Sequence, residues 1–298
     1  MKVPKPASTT RPLLAIDAPA VLYRAFYSVP PTVKDPEGRP INALLGAANT
    51  LLSIAEANDA RAVVFCLGAE SATYRTELYP PYHAQRPPMP KELESQFDAA
   101  PAFFRAFGWH VMDSESLEAD DLVHSLAQSE AELGGEGLIV TIDRDLFQSV
   151  GERVAVLLLQ KGGAPPERIG PAQVVERYGV RHDQVPDFIA LRGDPSDNIP
   201  GAKGIGAKTA RDLLVAHDTL EGVFERCIHA SSVTVRGILQ QKELLLKFRD
   251  VATVRRVDLG VIADTPIDGV GAAAAAKLLG MNRLAARLEK AGGVVAAT

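Results

Sequence analysis

Along the first 160 residues, short apolar runs alternate with longer segments of helical character. RPLLAID (11–17), RAVVFC (61–66), WHVM (109–112), GLIVTID (137–143) and RVAVLLL (153–159) are nearly continuous in apolar residues. That is the pattern of strands buried on both faces of a sheet. Residues 41–58, 91–107 and 118–133 read as helices between them. The alternation predicts an α/β fold class: a mostly parallel central sheet flanked by helices. One segment, LYPPYHAQRPPMP (78–90), interrupts the rhythm, because its five prolines disfavour both helix and strand. A connection of this kind suits a binding loop or lid, and equally a plain surface linker.

Past residue 171 the strand signal fades. PAQVVERYG, DQVPDFIALRG, AKTARDLLVAH, LEGVFERCIHA and VTVRGILQQKELLLKFRDVA all read as helices, and an Ala-rich tail from 271 adds one more before a frayed end. The chain thus divides into a flexible basic tail (1–11), an α/β core (12–170) and a helical lobe with C-terminal helices (171–298). Its 298 residues, 46% of them hydrophobic, supply enough core for one large domain or two modest ones. No run approaches the roughly 18 apolar residues of a membrane span, and MKVPKPASTTR lacks the apolar stretch of a signal peptide. Cys66 and Cys227 stand far apart with no metal spacing, which fits a reduced, cytoplasmic setting. The net charge of −5 argues against a uniformly basic nucleic-acid binder. Between Arg226 and Arg256, however, seven basic residues face two acids, so the charge is unevenly distributed.

The acids fall at telling places. Asp17 closes the first strand; Glu118, Asp120 and Asp121 open the helix after WHVM; Asp143 closes GLIVTID, with Asp145 just beyond. Asp194 and Asp197 stand in GDPSDNIPGAKGIGAKTA (193–210). Ligand sites in open α/β sheets gather outside the carboxyl ends of the strands. Any one of these acids is explained as a helix cap or turn former. Eight together repel one another unless cations share the site. Hard divalent ions such as Mg²⁺ or Mn²⁺ take carboxylate, water and phosphate oxygens. Two such ions about 3.5–4 Å apart activate a water and stabilise the leaving oxygen of a phosphodiester. No zinc-type cluster of His and Cys and no Gly-x-Ser-x-Gly nucleophile motif competes. The constellation reads as metal-dependent phosphodiester hydrolysis.

The glycine-rich stretch at first suggests a nucleotide phosphate loop. Gly201 and Gly206 have the required separation, but Ala207 intrudes before Lys208 and Thr209, and a helix rather than a strand precedes it. A hairpin between helices fits better. Gly204 and Gly206 let backbone N–H groups approach a phosphate, the helix from Ala207 offers its N-terminus, and Lys203 and Lys208 add charge. Such contacts hold a nucleic-acid backbone without reading bases.

LLAID, YHAQR, LEADD, TIDRDL and GDPSDNIPGAKGIGAKTA occur in an order and spacing that resembles the bacterial 5′ nucleases. This is the flap endonuclease/5′–3′ exonuclease family, to which the N-terminal domain of DNA polymerase I belongs. The likeness runs from about residue 13 to about 256. No polymerase domain follows, so the stand-alone form is expected. The resemblance implies a nuclease core, an arch or gateway loop at about 70–92, and a helix–three-turn–helix element gripping duplex DNA. It matches the eight acids to metal ligands, Arg75 and Arg86 to cations near the scissile phosphate, and Tyr82 with the hairpin residues Lys203, Gly204, Gly206, Lys208 and Thr209 to DNA contacts. It also implies K⁺ at the hairpin. Implied partners are DNA with 5′ ends, flaps or nicks and RNA–DNA hybrids, met by a cytoplasmic, nucleoid-associated monomer. Two departures stand out. Cys66 replaces the usual Asp after the second strand, which implies a weakened metal site. His83 replaces the usual Lys after Tyr82, and histidine carries little charge at neutral pH, which implies weaker phosphate attraction. Both leave a rival open: a catalytically impaired, structure-selective DNA-binding protein of the same fold.

Overall fold

The computed structural model describes residues 11–227 and 232–295. The tail expected at 1–11 therefore lies outside the described residues except for Arg11. The order of elements runs β1 (Leu13–Asp17), α1 (Ala18–Ser28), α2 (Asn42–Ala57), β2 (Ala62–Cys66), α3 (Thr73–Leu78) and α4 (Lys91–Arg105). It continues with β3 (His110–Met112), α5 (Ala119–Glu132), β4 (Gly137–Thr141), β5 (Val154–Leu158) and β6 (Glu167–Ile169). The helical part comprises α6 (Pro171–Tyr178), α7 (Val185–Arg192), α8 (Ala207–His217), α9 (Leu220–Cys227), α10 (Val233–Arg236), α11 (Lys242–Ala252), α12 (Gly269–Leu278) and α13 (Asn282–Val295).

The strands form one sheet in the order β3-β2-β1-β4-β5-β6. All neighbours are parallel except the short β6, which runs antiparallel along β5. The apolar runs are continuous because both faces are covered. Leu13 and Ala15 of β1 face the core shared with α5 and the helical lobe, while Leu14 and Ile16 face α1, α2 and α4. The chain steps from β1 outward to β2 and β3, then returns to place β4 on the other side of β1. This reversal opens a crevice at the carboxyl ends of β1 and β4.

Three elements depart from expectation. α1, α3 and β6 carry no strong pattern and are additional to the predicted set. The helix expected across 233–252 breaks after α10, where Gly237 and a single tight turn redirect the chain into α11. The C-terminal helices belong to the α/β core and not to the helical lobe. Residues after α11 run back across the molecule, held by the buried Arg61, which pairs with Glu130 and donates to Ile262 O and Asp264. α12 and α13 then close as a hairpin whose Ala272, Ala273, Ala276, Leu284 and Leu288 complete the core on the α2/α4 side. Small alanines on α12 permit that close approach, a tertiary fit that helix periodicity does not encode.

The turn joining α7 to α8 is built on glycine. Gly201 has φ 72°, and a Cβ there would sit 2.3 Å from the backbone nitrogen of Gly193. Gly206, with φ −96°, caps α8 and has nothing within 4 Å of where a Cβ would be. Gly201→Ala is therefore expected to destabilise the fold by about 3 kcal/mol or more, combining left-handed strain with a backbone clash. Gly206→Ala should cost no more than about 1 kcal/mol. Urea denaturation of both variants checks this contrast, and equal losses would contradict it.

Candidate active site

A cleft of about 1040 Å³ opens at the switch point. Seven of the eight predicted acids line it: Asp17, Glu118, Asp120, Asp143, Asp145, Asp194 and Asp197. Asp17, Glu118, Asp120, Asp143 and Asp145 stand at or just beyond strand ends and helix starts, while Asp194 and Asp197 stand in the turn after α7. Asp17 terminates β1, caps α1 by accepting from Ala20 N at 3.1 Å, and accepts from Thr141 Oγ1 at 2.6 Å. Thr141 ends β4 and also accepts from Asp143 N at 2.9 Å, so one hydroxyl ties the two strand ends together. Asp143 in turn accepts from Asp145 N at 2.8 Å. Ser196 N and Arg192 Nη2 hold the two oxygens of Asp194, at 2.9 and 3.0 Å.

Gathering these groups has an electrostatic cost. Enclosure by the protein, opposed by the Asp145 N–H and reinforced by Asp197, Asp17 and Asp194, pushes the Asp143 carboxyl up to about 6. Asp17 is raised by burial despite its two hydrogen bonds. Asp120 is pushed well above the ordinary range by desolvation and by the charges of Asp17, Asp143 and Glu118. Asp145 follows, through desolvation and Asp143, Asp197 and Asp194, with Arg192 opposing. A hard divalent cation suits this donor set of carboxylate oxygens. Among the described residues no three acids converge into a finished cage. Water or substrate oxygens would have to complete the shell, as Mg²⁺ and Mn²⁺ sites commonly require.

The eighth acid is elsewhere. Asp121 is fully buried and accepts from Tyr74 Oη (3.0 Å), Arg75 Nη2 (3.1 Å) and Arg255 N (2.7 Å). Its hydrogen-bonding capacity is used inside the fold, so it is no cleft ligand. Arg75 is buried with it, 3% exposed, and donates from Nε to Val251 O while Nη1 lies 2.9 Å from Glu118 Oε1. It does not line the cleft, which corrects its placement beside a scissile phosphate. His83 also differs. Its ring is buried against Tyr82, with Nδ1 near Ser71 Oγ (2.9 Å) and Nε2 at 3.1 Å from Asp197. The imidazole orients an acid and presents no free face to a phosphate. Tyr82 is buried and donates to Glu118 Oε2 at 3.0 Å. Arg86 is exposed on the cleft wall, 3.2 Å from Asp197. The proline-rich segment is thus tied down at several points, including Asn198 Nδ2 to Pro81 O at 2.7 Å.

Two family models match the chain: the 5′–3′ exonuclease N-terminal resolvase-like domain over residues 12–179, and the 5′–3′ exonuclease C-terminal SAM fold over 180–266. The chain belongs to the 5′–3′ exonuclease family. It is 33% identical over 258 residues to DNA polymerase I of Mycobacterium leprae, covering 84% of this chain and 28% of that protein. It is 36% identical over 256 residues to DNA polymerase I of Deinococcus radiodurans, covering 86% and 26%. The chain therefore spans little more than a quarter of these relatives. Among solved structures, T5 5′-exonuclease with bound zinc aligns at TM-score 0.67 and 17% identity, covering 95% of this chain and 99% of that one. The catalytic core of Rad2 in complex with a DNA substrate aligns at 0.63 and 14%, covering 93% and 91%. At these identities the structural likeness establishes the fold.

Other features of this exonuclease-family chain take their meaning from the geometry. In the hairpin, Lys203, Gly204, Gly206 and Lys208 are exposed and Thr209 is half-buried in the first turn of α8. The Lys203 amide is taken by Gln241 Oε1 at 3.0 Å, which leaves that residue's exposed side chain to supply the expected charge. Cys66 lies opposite Asp17 in the β1/β2 register and is fully buried in the lobe-facing core. Burial, together with the Asp17 charge, pushes its thiol far up, and it does not line the cleft. Arg192, Tyr23 and Tyr178 also line the cleft and escaped the sequence reading. Only the position of Arg192, directly before GDPSD, offered a signal.

Two outcomes follow from this electrostatics. Arg75→Met leaves Glu118 and Asp121 without their buried cation and should cost about 3–5 kcal/mol in urea denaturation; a loss under about 1 kcal/mol would contradict the pairing. For Asp143, a folded-state value near 6 against an ordinary 3.8 means its favourable contribution is present below about pH 4 and is lost as pH rises through 6. In EDTA, Asp143→Asn should gain stability relative to wild type between pH 4 and pH 7. A pH-independent difference would count against the raised value.

Proposed function

We propose that this chain is a divalent-metal-dependent 5′–3′ exonuclease and flap endonuclease, hydrolysing phosphodiesters in branched, nicked or gapped DNA. The observation that carries this is the convergence of seven repelling carboxylates on one open cleft at the sheet's switch point. A protein without use for cations gains nothing from that arrangement. Bound Mg²⁺ or Mn²⁺ would supply an activated water and neutralise the developing phosphate charge. The chain's own side chains bind, orient and position. Asp17, Asp120, Asp143 and Asp145 present oxygens from the cleft floor, while Tyr82 and Arg75 fix Glu118 from the 70–92 segment. Arg86, half-free beside Asp197, is placed to meet the strand entering the cleft.

The hairpin and the start of α8 adjoin the cleft through Ala207 and would grip the duplex backbone by exposed N–H groups, Lys203 and Lys208. We extend to this chain the DNA substrate carried by the Rad2 complex and the metal dependence suggested by the zinc-bound T5 enzyme. K⁺ at the hairpin, acceptance of RNA–DNA hybrids, action as a monomer and a nucleoid-associated cytoplasmic setting belong to the same reading. Among the described residues no helix is long and apolar enough to cross a membrane.

The buried Cys66 sustains the rival reading of a DNA-binding protein with impaired catalysis. A 5′-labelled flap duplex incubated with Mg²⁺, Mn²⁺ or EDTA separates the two. Cutting near the junction in either metal, absent in EDTA and lost in Asp143→Ala, is the expected result. Tight binding with no cutting in any metal would sink the nuclease and leave the clamp.

A further inference from the structure

Arg192 belongs to none of the acid or glycine motifs, yet it stands in the cleft. It ends α7, where the carbonyl dipoles favour a cation. Its guanidinium lies over the rings of Phe188 and Tyr178, 5.1 and 5.7 Å from their centroids, so an aromatic shelf holds it. Nη2 donates to Asp194 Oδ2 at 3.0 Å. Among the described residues Nε is buried without a partner and Nη1 makes no hydrogen bond. The other oxygen of Asp194 is held by Ser196 N at 2.9 Å, so the arginine engages this carboxylate through Oδ2 alone. The guanidinium therefore carries more donor capacity than its structural partner uses, and it sits beside the carboxylates where a phosphate must come.

We propose that Arg192 contacts a backbone phosphate of the bound strand and, in the free protein, tethers Asp194. This rests on the nucleic-acid reading above. A planar guanidinium already held on a shelf matches phosphate oxygens in pairs and loses little freedom on binding them. The same charge is paired with Asp194 Oδ2 at 3.0 Å, so it also competes with a divalent ion for that oxygen. Removing it should therefore move two affinities in opposite directions. DNA binding weakens, and ion binding to the DNA-free protein strengthens. A residue that merely propped the site would weaken both.

The test compares wild type, Arg192→Gln and Arg192→Lys. Anisotropy with a fluorescent 5′-flap duplex in EDTA, across a salt series, reads the phosphate contact. Calorimetric titration with Mn²⁺ alone reads the tether. For Arg192→Gln we expect about tenfold weaker DNA binding and a log K against log salt slope shallower by about 1, with Mn²⁺ bound several-fold more tightly. Arg192→Lys should keep the slope and show an intermediate affinity. Unchanged DNA affinity and slope in Arg192→Gln overturn the inference, and so does a parallel loss of DNA and Mn²⁺ affinity. Wild-type protein that binds no flap DNA overturns the functional reading as well, whereas wild-type binding with an unaltered variant overturns this inference alone.

Discussion

Repulsion among carboxylates at the β1/β4 crevice is the constraint around which the rest of this structure is organised. Seven acids share one cleft, and the protein offsets their charge only in part. Arg192 and Arg86 each take one acid of the GDPSD stretch, Arg75 takes Glu118 from behind, and Thr141 bonds Asp17. What remains appears as raised proton affinity at Asp17, Asp120, Asp143 and Asp145. A site with such raised proton affinity is prepared to exchange those protons for divalent cations.

The scaffold explains how such a site is tolerated. A sheet buried on both faces fixes the strand ends rigidly, so the acids cannot relax apart. Around this floor the 70–92 segment forms one wall, locked by Tyr82 on Glu118, His83 on Asp197 and Asn198 on Pro81. Arg75 links that wall to α11 through Val251 O, joining the helical lobe to the acid it steadies. The glycine hairpin extends the surface beyond the cleft, with α8 beginning at its rim. The acid cleft, the 70–92 wall and the start of α8 thereby share one face.

Much of this was legible in the residues, for physical reasons. Doubly buried strands must be apolar throughout, so five of the six were visible; β6, short and at the sheet edge, was not. Acids at strand ends announced the cleft. LEADD, however, could not reveal that Asp120 turns to the cleft while Asp121, one helical step on, turns to Arg75 and Tyr74. Nor could the sequence separate Arg75, sequestered in the interior, from Arg86 on the wall. Both are arginines in a polar segment, and only tertiary packing distinguishes them. His83 was read as a weak phosphate contact because its bond to Asp197 joins residues distant along the chain. The return of the C-terminal hairpin to the core depended likewise on Arg61 and on alanine packing, which leave no periodic trace.

The central claim is that this cleft exchanges protons for divalent cations. Calorimetric titration of Mn²⁺ into the DNA-free protein near pH 6.5, repeated in buffers of different ionisation heat, measures the protons displaced on binding. Saturable binding with net proton release is the result this account predicts. Binding without proton release, or none that saturates, would contradict it.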